Sequence, residues 1–173
     1  MNYWIAQAIG FVGMTLTIIS FQKKQSKGIL FFQVLSASAY FFHFLLLGAY
    51  TGSIMNIFGA ARNVIFYHKD KPWVGHRFWL YLFIAIYIIC AVLTWKNIFS
   101  LLPLIGMIVG TISFWMKNPK YIRLIMLLSP PCWFTYNLVT GSIPGMITEI
   151  FTVISIVVGI IRLDIKGKLA QTD

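Results

Sequence analysis

Seven apolar stretches, each about as long as a membrane-spanning helix, occupy almost all of this 173-residue chain. A helix of about 20 residues, rising about 1.5 Å per residue, crosses a hydrocarbon core of roughly 30 Å. We predict helices over residues 4–21, 29–47, 50–67, 78–95, 98–115, 121–140 and 143–161. Glycine pairs and short polar segments separate these stretches, which is typical of turns, and no room remains for a separate soluble domain.

The composition also indicates that lipid is the solvent of this chain. Hydrophobic residues make up 59% of it and charged residues 10%, whereas soluble domains have about 45–50% and about 25%. A water-soluble core could not bury this much apolar surface, but helices that satisfy their own backbone groups can expose it to lipid. We therefore predict an all-α integral membrane protein whose residues 1–173 form a single membrane domain.

The net charge of +10 lies on one side of the predicted topology. Thirteen of the fourteen lysines and arginines lie on the loops after helices one, three and five, on the tail or at adjoining helix ends: Lys23, Lys24, Lys27, Arg62, Lys69, Lys71, Arg77, Lys117, Lys120, Arg123, Arg162, Lys166 and Lys168. The opposite side holds Lys96 alone. Cytoplasmic loops are enriched in basic residues, so we predict an amino terminus outside and a carboxyl terminus in the cytoplasm. Anionic lipid headgroups, rather than nucleic acid, are the partners we expect for these loops.

The chain contains an internal repeat. A shift of 93 positions aligns residues 9–69 with 102–162 without a gap, and 18 of the 61 pairs are identical. Each copy has three predicted helices, and the extra helix between the copies makes them run in the same direction. The predicted architecture is therefore 3+1+3: repeat one over 3–67, a linker helix over 77–96 and repeat two over 98–162.

Two resemblances follow from this pattern. The parallel 3+1+3 arrangement resembles the SWEET, SemiSWEET and PQ-loop superfamily, and residues 21–28 are similar to its Pro-Gln motif, with Phe21 in place of the proline. The runs 101–106 and 132–137, together with Gly141, Gly145 and Glu149, resemble the bacterial inner-membrane family called YgjV. The resemblance implies a seven-helix fold and a location in the bacterial inner membrane.

Glu149 is the residue of the predicted spans most indicative of function. A carboxylate inside a span costs about 2.5–3.5 kcal/mol even on a lenient insertion scale. Its partner in the repeat is Asn56, and both lie about 9 Å from the outer ends of their helices. Tyr40 and Trp133 are also repeat partners and lie about 10 Å deep. We predict that these four residues form one substrate-binding layer.

The chemistry of this layer suits a small polar solute, because an aromatic face can stack on a ring while an amide or carboxylate hydrogen bonds to hydroxyls. The spacing of 16 residues from Tyr40 to Asn56 and from Trp133 to Glu149 is similar to that between the pocket aromatic and pocket asparagine of sugar-transporting relatives. Two alternatives stay open: Asn56 and Glu149 could instead hydrogen bond between helices as packing contacts, or the predicted face could point to lipid.

Other residues carry weaker predictions. Pro130 and Pro131 interrupt the sixth predicted helix and are the candidate hinge. His43 and Tyr136 could rim a vestibule, although a histidine with satisfied hydrogen bonds is the simpler expectation. Arg62 and Arg123 lie within about a turn of the predicted inner boundary, and their side chains are expected to extend to lipid headgroups.

The first functional hypothesis is a transporter of a small polar solute that works by alternating access. A membrane receptor or binding protein, and a structural or assembly protein without transport, are the alternatives. An enzyme is not expected, because the chain has no HExxH, GxSxG or P-loop pattern. The sequence predicts no metal site and no cofactor, and it leaves an oligomer open.

Overall fold

The computed structural model describes residues 2–165 and is helical throughout that range, with no strand. Its eight α-helices are α1 (Asn2–Phe21), α2 (Ser26–Leu46), α3 (Tyr50–Tyr67), α4 (Phe78–Leu93), α5 (Leu101–Trp115), α6 (Pro119–Met126), α7 (Pro130–Thr140) and α8 (Ile143–Gly159). A 3-10 turn, Ile98–Ser100, precedes α5, and a π-helical segment, Ile160–Ile165, follows α8. The tail lysines Lys166 and Lys168 lie outside the described residues.

The observed helix ends are within three residues of the predicted ones except at the sixth predicted helix. That helix is two helices, since α6 ends at Met126 and α7 begins at Pro130. Pro130 and Pro131 lack the backbone N–H that an uninterrupted helix would use, and proline is well tolerated in a first turn. The interruption therefore lies where the sequence placed a candidate hinge, and the hinge motion itself stays a prediction.

Four helices are long and apolar enough to cross a membrane: Tyr3–Phe21, Ser26–Leu46, Ile98–Trp115 and Ile143–Ile165. A shorter apolar helix, Phe78–Leu93, adds to them. The surface is apolar as well, with side chains such as Trp4, Val92 and Leu93 at least two-thirds exposed. Apolar patches of this extent are rare on soluble monomers, and they suit a lipid environment.

The helices form two groups. In the first, which we call bundle one, α2 packs against α1 and α3; in the second, bundle two, α5 packs against α6 and α7, and α7 packs against α8. The bundles meet at two interfaces, α1 with α8 and α3 with α5, while α4 packs against α3 and α5. The 93-residue shift carries α1 onto α5 and α3 onto α8, so it exchanges these two interfaces.

Local details recur under the same shift. Gly48 and Gly141 both take left-handed conformations, with φ of 68° and 70°, which glycine adopts without a Cβ penalty. The following backbone amides close the turns with equal bonds of 2.9 Å, from Ala49 N to Phe44 O and from Ser142 N to Asn137 O.

The basic loops lie together at one end of the molecule, which we call the basic end. Lys69, after α3, donates hydrogen bonds to the carbonyls of Phe114 (2.9 Å) and Met116 at the end of α5. Lys27 pairs with Asp70 at 3.2 Å. Burial lowers the pKa of the Lys69 amine to about 8, because the charged form is desolvated there. Lys96 lies at the opposite end, where its Nζ is 3.5 Å from Gly48 O.

Arg123 corrects one expectation. Its side chain is 2% exposed and forms a bidentate pair with Asp164 of the π-helical segment, with Nε to Oδ2 at 2.9 Å. It also donates to Lys23 O at 3.3 Å. The prediction that Arg123 extends to headgroups was wrong, because a carboxylate 41 residues away in sequence provides a closer partner.

Candidate functional site

A cavity of about 90 Å³ lies between the two bundles. The helices α1, α2, α3, α5, α7 and α8 all contribute to its wall. The four residues predicted as the substrate layer, Tyr40, Asn56, Trp133 and Glu149, all line it. The structure therefore brings them together, and their binding role stays a prediction.

Glu149 lies on α8 in the cavity wall and is only partly buried. No hydrogen bond or ion pair to Glu149 is present in residues 2–165. Thr152, one turn further along α8, also lines the cavity, and its buried hydroxyl has no partner among the described residues. Two polar groups of α8 are thus left free to bind water or a solute.

Asn56 differs from Glu149 in having one bond, from its Nδ2 to Gly52 O at 2.8 Å, within its own helix α3. Neither side chain hydrogen bonds to the other, nor to another helix, within the described part of the chain. The packing alternative would require such bonds between helices. The observed geometry therefore favours the cavity-lining interpretation of both residues.

Tyr40 and Trp133 are joined through a third aromatic residue, Phe44. The Tyr40 and Phe44 rings stack with centroids 5.8 Å apart, and the Phe44 and Trp133 rings stack at 6.1 Å. The sequence did not single out Phe44, which lies one turn from Tyr40 on α2. Rings at this separation attract one another beyond the area they bury. The two aromatic residues of the predicted layer therefore belong, with Phe44, to an aromatic row that crosses both bundles.

Glycines of α1 and α5 make room for these rings. A Cβ on Gly13 would lie 2.9 Å from Tyr40 Cε2, and a Cβ on Gly106 would lie 2.5 Å from Trp133 Nε1. Both distances are shorter than normal packing contacts of about 3.5–4.0 Å. Glycine is thus required at both positions for the rings to lie as they do.

Arg62 is the second arginine, after Arg123, whose predicted position was wrong. It was expected to extend to headgroups, but its side chain is 3% exposed and lines the cavity. It donates to Thr111 Oγ1 (2.8 Å), to Met107 O (3.3 Å) and, through Nε and Nη2, to Asn63 Oδ1 (3.1 and 2.9 Å). A signal was available, since Asn56, Gly59 and Arg62 recur every three residues and so share one side of α3.

Several hydrogen bonds, most of them between the bundles, lie at the end opposite the basic end. His43 contacts Ser142 Oγ at 2.8 Å and Ala6 O at 2.7 Å, and it is fully buried. The hydroxyl of Tyr136 accepts from Gly52 N at 3.0 Å. The hydroxyl of Tyr40 hydrogen bonds to Thr148. His43 is therefore the satisfied histidine that was the simpler expectation, whereas Tyr136 lines a second cavity at this end, together with Gly48 and Lys96.

The basic end also has contacts between the bundles. The Gln22 amide donates to both the carbonyl and the hydroxyl of Ser155, each at 2.8 Å. Phe21 and Phe114, which are repeat partners, line the cavity and are at most 1% exposed. Hydrogen bonds between the bundles thus lie on both sides of the cavity.

A chain whose described residues are helical, with an apolar surface and a cavity between two helix bundles, is an integral membrane protein. It belongs to a family of bacterial inner membrane proteins, Imp-YgjV, whose family model matches residues 4–166. The chain is similar to the inner membrane protein YgjV of Escherichia coli (strain K12), with 27% identity over 147 residues, covering 85% of this chain and 78% of that protein. No solved structure matches it significantly.

Proposed function

We propose that this protein transports a small polar solute across the bacterial inner membrane by alternating access. The observation that carries the proposal is the cavity between the bundles, whose wall holds Tyr40, Asn56, Trp133 and Glu149. A polar site near the middle of a bilayer, at the interface of two bundles, is typical of transporters built from repeats. Unpaired polar groups inside a membrane are costly and are therefore functional by default.

The architecture in this proposal is 3+1+3 with seven crossings, in which α6 and α7 form one interrupted crossing. Bundle one holds α1 to α3, bundle two holds α5 to α8, and α4 links them. The loop after α1 and the end of α5, which correspond under the 93-residue shift, both lie at the basic end, and this supports parallel repeats. The basic end would face the cytoplasm, because Lys and Arg accumulate on cytoplasmic loops, and the amino terminus would then lie outside.

The proposed mechanism alternates between the two sets of contacts that bracket the cavity. Opening to the outside requires breaking the bonds from His43 to Ser142, from Tyr136 to Gly52 and from Tyr40 to Thr148. Opening to the cytoplasm requires breaking the two bonds from Gln22 to Ser155 and the bonds from Lys69 to the carbonyls at the end of α5. The break between α6 and α7 at Pro130 and Pro131 would allow this movement.

Within the cavity each predicted residue has a role. The faces of Trp133 and Tyr40 would stack on the apolar face of the solute, while Asn56 and Glu149 would hydrogen bond to its polar groups. Glu149 is the most suitable of these residues for substitution, because it has no protein partner to lose among the described residues.

The test is solute flux into proteoliposomes that contain the purified protein. A ligand is first identified by a thermal-shift screen of small polar solutes, and its radiolabelled form is then followed into vesicles with and without protein. We expect saturable uptake that requires the protein and is lost in the Glu149→Gln variant. Saturable binding without uptake would instead indicate a receptor, and the proposal of transport would be wrong.

A further inference from the structure

The cavity wall carries two charged side chains of opposite sign, Arg62 from α3 and Glu149 from α8. The other acidic residues that the structure describes are each paired at the basic end, Asp70 with Lys27 and Asp164 with Arg123. Arg62 and Glu149 are not within 4.0 Å of any opposite charge among residues 2–165. Arg62 and Glu149 therefore belong to neither of the ion pairs among the described residues.

The partners of Arg62 do not cancel its charge. Its four hydrogen bonds go to Asn63, Thr111 and Met107, which are all neutral acceptors. A guanidinium has five N–H donors, so one of them remains without an acceptor in the described structure. The side chain also lies over the Phe114 ring, 5.1 Å from its centroid. Hydrogen bonds are thus nearly complete, while the positive charge is left without an anion.

The surroundings of Glu149 suit an ammonium group. The residue before it, Thr148, bonds to Tyr40, whose ring begins the aromatic row that ends at Trp133. A carboxylate beside aromatic faces is the combination that recognises organic cations, because the ring quadrupole attracts positive charge. Glu149 thus provides an anion in the same cavity wall as the aromatic row, and no cation pairs with it among residues 2–165.

Arg62 and the aromatic row lie at different levels of the cavity. Trp133 lies against Gly106 of α5, and the Arg62 guanidinium lies near Gly110, where a Cβ would be 3.5 Å from Nη1. These glycines are four residues apart, or about 6 Å along the helix axis. Glu149 lines the same cavity, so the site offers an aromatic row, an acid and a guanidinium to one small molecule that carries both an amine and an acid group.

We propose that the solute of this cavity is a small zwitterion, an amino acid or a close analogue, with its ammonium group at Glu149 and its carboxylate at Arg62. The inference rests on the proposed transport function, because it names the solute class of that site. Binding would supply Arg62 and Glu149 each with the counter-ion that residues 2–165 do not provide.

The experiment measures binding to the purified full-length protein by thermal shift and by titration calorimetry. The probes are the twenty common amino acids, the carboxamide and the des-amino acid of the tightest binder, and a set of neutral sugars and polyols. We expect at least one amino acid to bind, and both analogues to bind at least about tenfold more weakly, since each lacks one charge-assisted contact. Glu149→Gln should weaken amino-acid binding by a similar factor.

Asp70→Asn is the matched control, because it makes a similar carboxylate-to-amide change at a site that is exposed and lies outside the cavity. It should leave amino-acid binding unchanged. The carboxamide tests the contact at Arg62 without a substitution in the protein, and the des-amino acid tests the contact at Glu149 in the same way. The inference is overturned if no amino acid binds at millimolar concentration, or if both analogues bind as tightly as the amino acid.

Failure of this inference and failure of the proposed function give different results. A neutral sugar that binds and is taken up into vesicles would overturn the zwitterion and support transport. An amino acid that binds at Glu149 but is not taken up would support the zwitterion and overturn transport.

Discussion

The two copies of the repeat share a framework but differ in charge. Their turns, glycines and aromatic positions correspond, with Gly48 matching Gly141 and Gly13 matching Gly106. At three buried or cavity-lining positions the charges differ: Asn56 corresponds to Glu149, Arg62 to Ser155 and Leu30 to Arg123. The comparison teaches that backbone packing preserves the repeat, while the chemistry of the site comes from the positions where the copies diverge.

Topology tests the comparison most severely, because parallel copies place corresponding loops on the same side of the membrane. Reporter fusions after Gly48 and between Gly141 and Gly145 should both report the outside, and a fusion after Lys166 should report the cytoplasm. The expected signals are all-or-none. Opposite locations for the fusions at Gly48 and Gly141 would exclude parallel repeats and with them the seven-crossing arrangement.

The largest effect on stability is expected from breaking the buried ion pair between Arg123 and Asp164, which has no counterpart in bundle one. Asp164→Asn leaves the buried Arg123 without its carboxylate, which typically costs about 3–5 kcal/mol. The matched control is Asp70→Asn, whose pair with Lys27 is about half exposed and worth only about 0–1 kcal/mol. Denaturant unfolding in detergent measures both. Equal effects of the two variants would show that Arg123 and Asp164 are not a buried pair.

A smaller effect is expected from filling the space beneath the aromatic row. Gly106→Ala places a methyl group 2.5 Å from the Trp133 ring, and overpacking of this kind costs about 1–3 kcal/mol. Gly13→Ala, its counterpart beneath Tyr40, meets the ring at 2.9 Å and should cost less. Thermal unfolding of the two variants provides the comparison. A gain in stability for Gly106→Ala, as expected for an unobstructed helix position, would contradict the placement of Trp133.

The last effect depends on pH and concerns Lys69, which is buried, whereas its repeat counterpart Arg162 is exposed. The folded-state pKa of about 8 is lower than the ordinary value of 10.5, so the unfolded chain binds more protons between these pH values. Stability should therefore rise as the pH increases from about 8 to about 10.5, by at most about 1.4 kcal/mol per pH unit. Below about pH 8 this dependence disappears. Lys69→Met should abolish the rise, as measured by unfolding at several pH values, and an unchanged slope would contradict the burial of this amine.

The helices could be predicted from the sequence because apolar length and turn residues determine them. The interruption at Pro130 was also predictable, since proline cannot continue a hydrogen-bonded helix. The convergence of Tyr40, Asn56, Trp133 and Glu149 followed from the repeat, which places corresponding residues at the same depth. These features depend on local sequence or on internal comparison.

The positions of the arginines could not be predicted in the same way. Arg62 lies five residues before the end of α3, so its depth alone allowed an extended side chain to reach the headgroups. Its actual partners, Met107 and Thr111, lie on α5, and only tertiary packing brings them near. Arg123 pairs with Asp164 in a π-helical segment that no apolar periodicity indicates. Long side chains choose partners by three-dimensional distance, which a single sequence does not contain.

The central claim is that the cavity carrying Glu149 is the site of solute transport. The most direct measurement compares uptake of the solute identified by the ligand screen into proteoliposomes containing the parent or the Glu149→Gln variant, with thermal stability measured on the same preparations. Gln keeps the shape of the side chain but removes its charge, and Glu149 has no partner to lose within residues 2–165. The account predicts that uptake is abolished while stability is unchanged or higher. Uptake equal to that of the parent would contradict it, and so would a marked loss of stability with binding unaltered.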